Sequence, residues 1–240
     1  MKTLTLLWIV LLINVSCCYD NPLSKYLWQQ TGKQQQESLN TKMIQGVMNK
    51  NLDPSKFGAY MVQDSVYCYH SMKVLAIANS KVKDDPTLKQ FFNKTYASYQ
   101  VYTSELLKAW HIGEPTTIDL GPACSNYVNH LYDVARNMEP IYLVVAMTPC
   151  AKLWPWIGVQ LNTSTGNFGV YTDWVKENFN ENSKGYQKYD IVIDSAQKRG
   201  LIDQTKALDV YSKSMDNEVA FFNLDEFPVV QTAGKKNTGI

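Results

Sequence analysis

The sequence predicts an all-α fold, and three features carry that expectation. Apolar residues recur at three- and four-residue spacing over several long stretches between residues 53 and 224, the pattern of one buried helix face. Helix-opening signals, Asp53-Pro54 and Gly121-Pro122, stand where two of those stretches begin. No convincing series of alternating apolar and polar residues breaks the succession.

Taken in order, Asp53-Pro54 opens a helix to about Asn79, with Phe57, Tyr60, Met61, Asp64, Tyr67, Cys68, Ser71, Val74, Leu75 and Ala78 on one face. Asp64 sits inside that apolar stripe. Pro86 to Trp110 repeats the pattern through Leu88, Phe91, Phe92, Thr95, Tyr99, Tyr102 and Leu106, with Gly113 at the expected helix stop. Gly121-Pro122 opens a third helix to about Asn137, striped by Cys124, Tyr127, Val128, Leu131 and Val134. Glu139 to Val159 is strongly apolar and holds Pro149 and Pro155, which predicts a buried helix kinked at Pro149. A turn-rich loop over 162–169 precedes shorter helices at 171–179 and 186–199. The last helix, about Gln204 to Leu224, carries Leu208, Tyr211, Met215, Glu218, Phe221 and Phe222 on one face. No repeat or linker divides residues 19–227, which read as one helical domain, and the tail 228–240 is expected to be mobile.

The N-terminus, MKTLTLLWIVLLINVSCCYDN, has a basic start at Lys2 and an apolar run from Leu4 to Val15, the pattern of a secretory signal peptide over residues 1–18. No later stretch is expected to reach the length of a membrane span. A secreted protein follows, and Asn93-Lys-Thr95 and Asn162-Thr-Ser164 are then available to glycosylation. Small residues allow cleavage after Cys17 or after Cys18; the second leaves Cys68, Cys124 and Cys150, an odd number that keeps at least one thiol unpaired. The net charge of +1 offers no footprint for nucleic acid or an anionic membrane, so a small neutral partner is the default.

Asp64, Cys150 and Glu218 each put a reactive or ionisable group where helical periodicity expects a hydrophobe. A buried carboxylate must be paired, neutralised by a raised pKa, or turned into a cavity. One shared cavity would explain all three, against the blander reading of separate boundary positions. Cys150 also follows directly on Pro149 and precedes Trp154 and Trp156, and backbone irregularity of this kind often re-aims a side chain. Its thiol needs a neighbouring base or hydrogen-bonding tyrosine to ionise near neutrality.

Four segments together resemble the TenA/thiaminase II family. They are Gln63-Asp64-Ser65-Val66-Tyr67, an aspartate with a tyrosine three residues on; PACSNYVNHL around Tyr127; VVAMTPC ending at Cys150; and SMDNEVAFF with Glu218 and Phe221. Their order and approximate spacing agree with the family over residues 40–225. The resemblance implies a heme-oxygenase-like multi-helical bundle, usually a homotetramer, that binds the aminopyrimidine part of thiamin or of its breakdown products.

It further implies that Asp64 contacts the exocyclic amine of the pyrimidine, Cys150 adds to the ring, and Glu218 hydrogen-bonds a ring nitrogen and handles protons. Tyr67 and Tyr127 would surround thiol and ring, with Phe221 as an apolar wall. Protonation makes the pyrimidine an electron sink, so thiolate addition lets the substituent on the exocyclic methylene depart, and water replaces it. No metal or organic cofactor is required. The chain departs from the family at YTDWVKENF, where Asn178 and Phe179 follow the Tyr-x-x-Trp element in place of a tyrosine. Ala151 and Lys152 likewise replace aromatic residues after the cysteine, which alters the expected ring-stacking surface.

Two rival readings differ in class. Heme binding needs an axial ligand, and the only histidines, His70, His111 and His130, are scattered along the chain with none near the start of a helical segment that would seat a heme. Their scatter also argues against a zinc or di-iron site. The second rival is a secreted, non-catalytic protein that keeps the pocket for a pyrimidine or other small aromatic ligand; a disulfide from Cys150 to Cys68 or Cys124 would enforce it.

Overall fold

In a computed structural model the described residues are 21–223, so the signal peptide expected at 1–18 and the tail expected at 228–240 lie outside them. Ten α-helices make up the described part. They are α1 Leu23–Gln30, α2 Gly32–Leu39, α3 Lys42–Met48, α4 Pro54–Lys81, α5 Pro86–Ala109, α6 Pro122–Asn137, α7 Ile141–Leu161, α8 Thr172–Asn178, α9 Gln187–Lys198 and α10 Gln204–Phe222.

The long helices start where the sequence marks them. Asp53, Asp85 and Asp203 each accept a hydrogen bond from the backbone N–H of the first turn they precede, at 2.8, 2.9 and 2.7 Å. Such a cap is worth about 1 kcal/mol to the helix it opens. At α6, which opens on glycine, the Gln63 side chain reaches over from α4 to accept from the Gly121 N–H at 2.9 Å. That bond ties the start of one site-bearing helix to the middle of another.

Three predicted details change. The end of α5 is turned by His111, whose φ of 54° is the left-handed one, while Ile112 donates back to the Leu107 carbonyl at 2.8 Å. Gly113 is not needed for the stop, because the αL position falls two residues earlier. Helix α7 stays helical through both Pro149 and Pro155. Within it the Thr148 hydroxyl donates to the Val144 carbonyl at 2.7 Å, one turn back and beside the carbonyl that Pro149 cannot serve. By length and composition α7 could also cross a membrane, with a mean hydropathy of 1.2, yet 72% of that window is buried inside the bundle. An all-round apolar helix of a large core has this character too.

The sequence reading assigned no element before Asp53, and α1, α2 and α3 fill that gap. They pack mainly on the last two helices: α1 on α9 and α10, α2 and α3 on α10. Asp194 of α9 holds α1 by accepting from both the N–H and the hydroxyl of Ser24, at 2.8 and 2.9 Å.

The middle of the bundle is set by α4, α6, α7 and α10. Helix α4 packs on α5 and α6, while α7 packs on α6, α9 and α10, and α6 also meets α10. Aromatic rings fill much of the space between them, Tyr60 against Phe221 at 5.3 Å and Trp154 against Phe222 at 5.5 Å between centroids. What they leave open is the site.

Candidate active site

Each of the four central helices sends one polar group to the same point. Asp64 comes from α4, Tyr127 from α6, Cys150 from α7 and Glu218 from α10, and all line an inner chamber of about 10 Å³, room for about one water. Tyr60, Tyr67, Trp154 and Phe221 complete its wall. All six residues expected from sequence, Cys150, Glu218, Asp64, Tyr67, Tyr127 and Phe221, are brought together here. Helical spacing explains part of this: Asp64 and Tyr67 are one turn apart on α4, as are Glu218 and Phe221 on α10.

Glu218 is the most fully held group. The Tyr127 hydroxyl donates to its Oε1 at 2.7 Å and the Trp154 indole N–H donates to its Oε2 at 3.3 Å. The Cys150 thiol is its third hydrogen-bond partner. Burial nonetheless lifts its pKa to about 7, against the pull of those donors. Asp64 is raised to about 7 as well, by burial first and by the nearby Glu218 second, with no hydrogen bond offsetting it. Two acids that titrate near neutrality are suited to trade protons at neutral pH.

The Cys150 thiol is pushed well above its ordinary pKa by burial, then by Glu218 and Asp64. A free thiolate is therefore disfavoured, and a thiol hydrogen-bonded to a basic carboxylate is the resting state. Its reactivity depends on Glu218 taking the proton as the sulfur attacks. Tyr67 lies with its ring 4.7 Å from that of Tyr127, and its buried hydroxyl finds no well-aligned hydrogen-bond partner among the described residues. Its partner there is the Tyr127 hydroxyl, which it meets in a poorly aligned hydrogen bond.

Cys150, Asp64, Tyr67 and Trp154 also face a second, outer chamber of about 430 Å³, open to solvent. Its further lining includes Tyr99 and Tyr102 of α5, Glu177 and Asn178 of α8, and Asn180 and Ser183 beyond it. Sequence reasoning missed this chamber. The signal was present in α5, where Tyr99 and Tyr102 sit on the apolar stripe, yet Tyr102 is 40% exposed and its hydroxyl donates to Asn178 Oδ1 at 3.3 Å. Trp154 was noted only as a neighbour of Cys150, although its position one turn along α7 puts it on the same face.

The two departures noted in the sequence have different fates. Lys152 turns away from the site, pairing with Asp190 at 2.8 Å and lying over the rings of Trp28 and Tyr186. Phe179 is buried against Trp154, rings 4.9 Å apart, while Asn178 takes the chamber wall. Cys68, Cys124 and Cys150 are all free thiols, with Cys68 in the outer chamber wall. His70 and His130 bond to Tyr132 and Ser214 instead of facing the site, at 3.1 and 2.9 Å. Among the described residues no group of three His, Cys, Asp or Glu side chains could hold a metal ion.

The fold and family are shared with known proteins. Residues 28–221 match the model of the TENA/THI-4/PQQC family. An aminopyrimidine aminohydrolase of Halalkalibacterium halodurans is 25% identical over 176 residues, covering 70% of this chain and 78% of that protein. Another from Bacillus subtilis is 23% identical over 137 residues, covering 55% of this chain and 58% of that protein. Among solved structures, the TenA homologue of Pyrococcus horikoshii superposes with a TM-score of 0.70 at 16% identity, covering 84% of this chain and 97% of its own. The TenA homologue of Pyrococcus furiosus gives 0.67 at 18% identity, covering 84% and 98%. Fold is what those two likenesses carry; the match over most of the chain makes this protein a member of the TENA/THI-4/PQQC family.

Proposed function

We propose that this protein is a secreted, thiaminase II-type hydrolase that cleaves the substituent from the exocyclic methylene of an aminopyrimidine, giving hydroxymethylpyrimidine, with Cys150 as nucleophile. The observation that carries the reading is the Cys150 thiol bonded to a Glu218 held on both oxygens by Tyr127 and Trp154, facing the unbonded carboxyl of Asp64. The family match and the names of the relatives support the substrate class.

In this reading the pyrimidine enters the outer chamber and lies beside Tyr67 and Cys150, which both chambers share, and Asp64 engages the exocyclic amine. The thiol proton passes to Glu218 as sulfur bonds to a ring carbon, and Glu218 delivers a proton to the ring nitrogen. The ring electron pair then expels the substituent from the methylene carbon. Water adds to that carbon and its spare proton goes to the departed amine or to solvent; the sulfur then departs with its bonding pair while Glu218 takes the proton from the ring nitrogen and returns it to the sulfur. Apart from the substrate and water, every group in these steps is a side chain of this protein.

Secretion rests on the N-terminal 18 residues, and under it the exposed Asn93 and Asn162 are the glycan acceptors. We take the assembly to be a homo-oligomer on the family resemblance. Purified mature protein should release hydroxymethylpyrimidine from thiamin or from aminomethylpyrimidine, and Cys150→Ser should lower the rate more than about 1000-fold. Absence of turnover by wild type, or unchanged turnover by the variant, sinks the assignment.

One observation favours a second reading, a secreted binder of pyrimidines without catalysis: the Cys150 thiol is held well above its ordinary pKa. Alkylation rates separate the two. A catalytic Cys150 is modified faster than Cys68 and Cys124, with a rate that rises as Glu218 deprotonates, whereas a purely packing thiol reacts no faster than its neighbours.

A further inference from the structure

Helices α4, α5 and α6 leave an open groove of about 370 Å³ between them, which shares no lining residue with the chambers at Cys150. Helix α4 contributes Met72, Ala76 and Ile77, while Tyr96 comes from α5 and Tyr132 from α6. Both tyrosines are half-buried, so part of each ring meets water. The charged residues among its described lining are Lys73 and Arg136, and the Arg136 guanidinium lies over the Tyr132 ring at 4.5 Å. Ligand clefts run to roughly 300–1000 Å³, so the groove has room for an occupant.

One turn beyond the groove stands a glycosylation sequon. Asn93 precedes Tyr96 by three residues on α5, and Asn79 follows Ala76 by three on α4. The two asparagines are joined, Asn79 Nδ2 donating to Asn93 Oδ1 at 2.7 Å. That bond holds the exposed Asn93 amide by its oxygen and leaves its nitrogen, the atom to which a glycan bonds, without a partner among the described residues. Asn79 Oδ1 is buried and finds no hydrogen-bond partner among the described residues either. A buried acceptor in that position lacks a donor.

We propose, resting on the secretion stated above, that this groove is the seat of a glycan carried on Asn93. Its first sugars lie with a C–H face on the Tyr96 ring, hydroxyls toward Lys73 and Arg136, and a hydroxyl or acetamido N–H donating to Asn79 Oδ1. The chemistry suits both partners. One face of a sugar ring presents C–H groups to the electron-rich face of a tyrosine, while its hydroxyls need donors and acceptors around the edge. Attachment is made by the secreting cell: Asn93 Nδ2 bonds to the anomeric carbon of a diphosphate-activated oligosaccharide, the diphosphate leaves with its bonding pair, and the nitrogen gives up a proton. The second sequon is the internal control, because Asn162 is exposed at the end of α7 and lines neither this groove nor the chambers at Cys150.

The test expresses the full-length chain in a eukaryotic secreting cell and maps glycopeptides of the protein from the medium by mass spectrometry. Asn93 should be occupied. Release by a peptide N-glycosidase from the native protein should be about tenfold slower at Asn93 than at Asn162. Tyr96→Ala should remove most of that protection, and Tyr96→Phe, which keeps the ring, should retain it. Loss of the Asn93 glycan should lower Tm by about 2–4 °C in wild type and by less than half of that in Tyr96→Ala. A secreted chain bare at Asn93, equal release at the two sites, or protection untouched by Tyr96→Ala overturns the seat and leaves secretion standing. A chain retained in the cytosol with both sequons bare overturns both. A groove covered instead by a second copy of the chain would show as Asn93 left bare and an oligomer that dissociates in Tyr96→Ala, which also sinks the seat.

Discussion

The inner chamber is walled by side chains from the middles of four long helices, whereas the outer chamber relies on α8, the segment after it and the exposed flank of α5. Inside, almost every polar group is buried, and burial governs its protons: Asp64 and Glu218 are both lifted to about 7. Outside, Glu177 and Asn180 are exposed to water and their charge and hydrogen-bonding are screened. One region is therefore built to move protons and form bonds, the other to sort what enters. Changes inside should act on kcat, and changes outside on KM.

Glu218→Gln gives the largest expected break. It keeps the shape and the bond from Tyr127 but removes the proton acceptor for Cys150, so kcat should drop ~100- to 1000-fold with KM nearly unchanged. A comparable loss in KM alone would move Glu218 from the chemistry to binding.

Gly158→Ala attacks the outer region from beneath. A Cβ there would stand 2.0 Å from the Phe179 carbonyl oxygen, the same oxygen that accepts from the Thr163 hydroxyl at 2.8 Å. The strand of chain carrying Asn178 and Asn180 must shift, at a cost of about 2–3 kcal/mol in denaturant unfolding. KM should rise several-fold more than kcat falls; the reverse would mean that the two regions are mechanically one.

Stability against pH examines the inner region alone. An acid whose pKa is raised by folding adds stability that is complete below its unfolded pKa, near 4, and is lost as pH climbs through its folded pKa, here about 7. Wild type should thus lose stability between about pH 4 and 8. Asp64→Asn should remove part of that slope, gaining on the order of 2 kcal/mol over wild type at pH 8 and little at pH 4. A parallel pair of curves would mean that Asp64 is ionised without penalty in the fold.

The smallest effect is expected from Trp154→Phe. It removes one donor to Glu218 while keeping an aromatic wall, so the rate should fall about 3- to 10-fold and the lower limb of the pH–rate profile should move up by several tenths of a unit. A rate loss without that movement would assign Trp154 to packing only.

Much of this difference between regions traces back to legibility. The stripes of α4, α6 and α10 were visible because buried positions on a long helix repeat at fixed spacing, and Asp64 and Glu218 stood out as polar groups within them, whereas Tyr127 was marked only by the family resemblance. The outer chamber has no such period. Glu177, Asn178 and Asn180 are ordinary surface residues in sequence, and nothing local distinguishes a residue that faces a cavity mouth from one that faces bulk water. The first three helices were missed for a related reason: each is only seven or eight residues long, and α2 is largely polar as well. Their helical state depends on docking against α9 and α10 more than on their own pattern.

The all-α class, the starts of the long helices and the polar intrusions at Asp64, Cys150 and Glu218 were determined by the sequence, because capping and periodicity are local and act within a few residues of the chain, while Tyr67, Tyr127 and Phe221 entered through the family resemblance. Which oxygen of Glu218 meets Tyr127, that Lys152 leaves the site for Asp190, and that Cys150 stands between a small chamber and a large one were decided by tertiary structure. Those outcomes depend on the relative placement of helices far apart in the chain, and burial by all of them together raises Asp64 and Glu218 into the range where they can exchange protons.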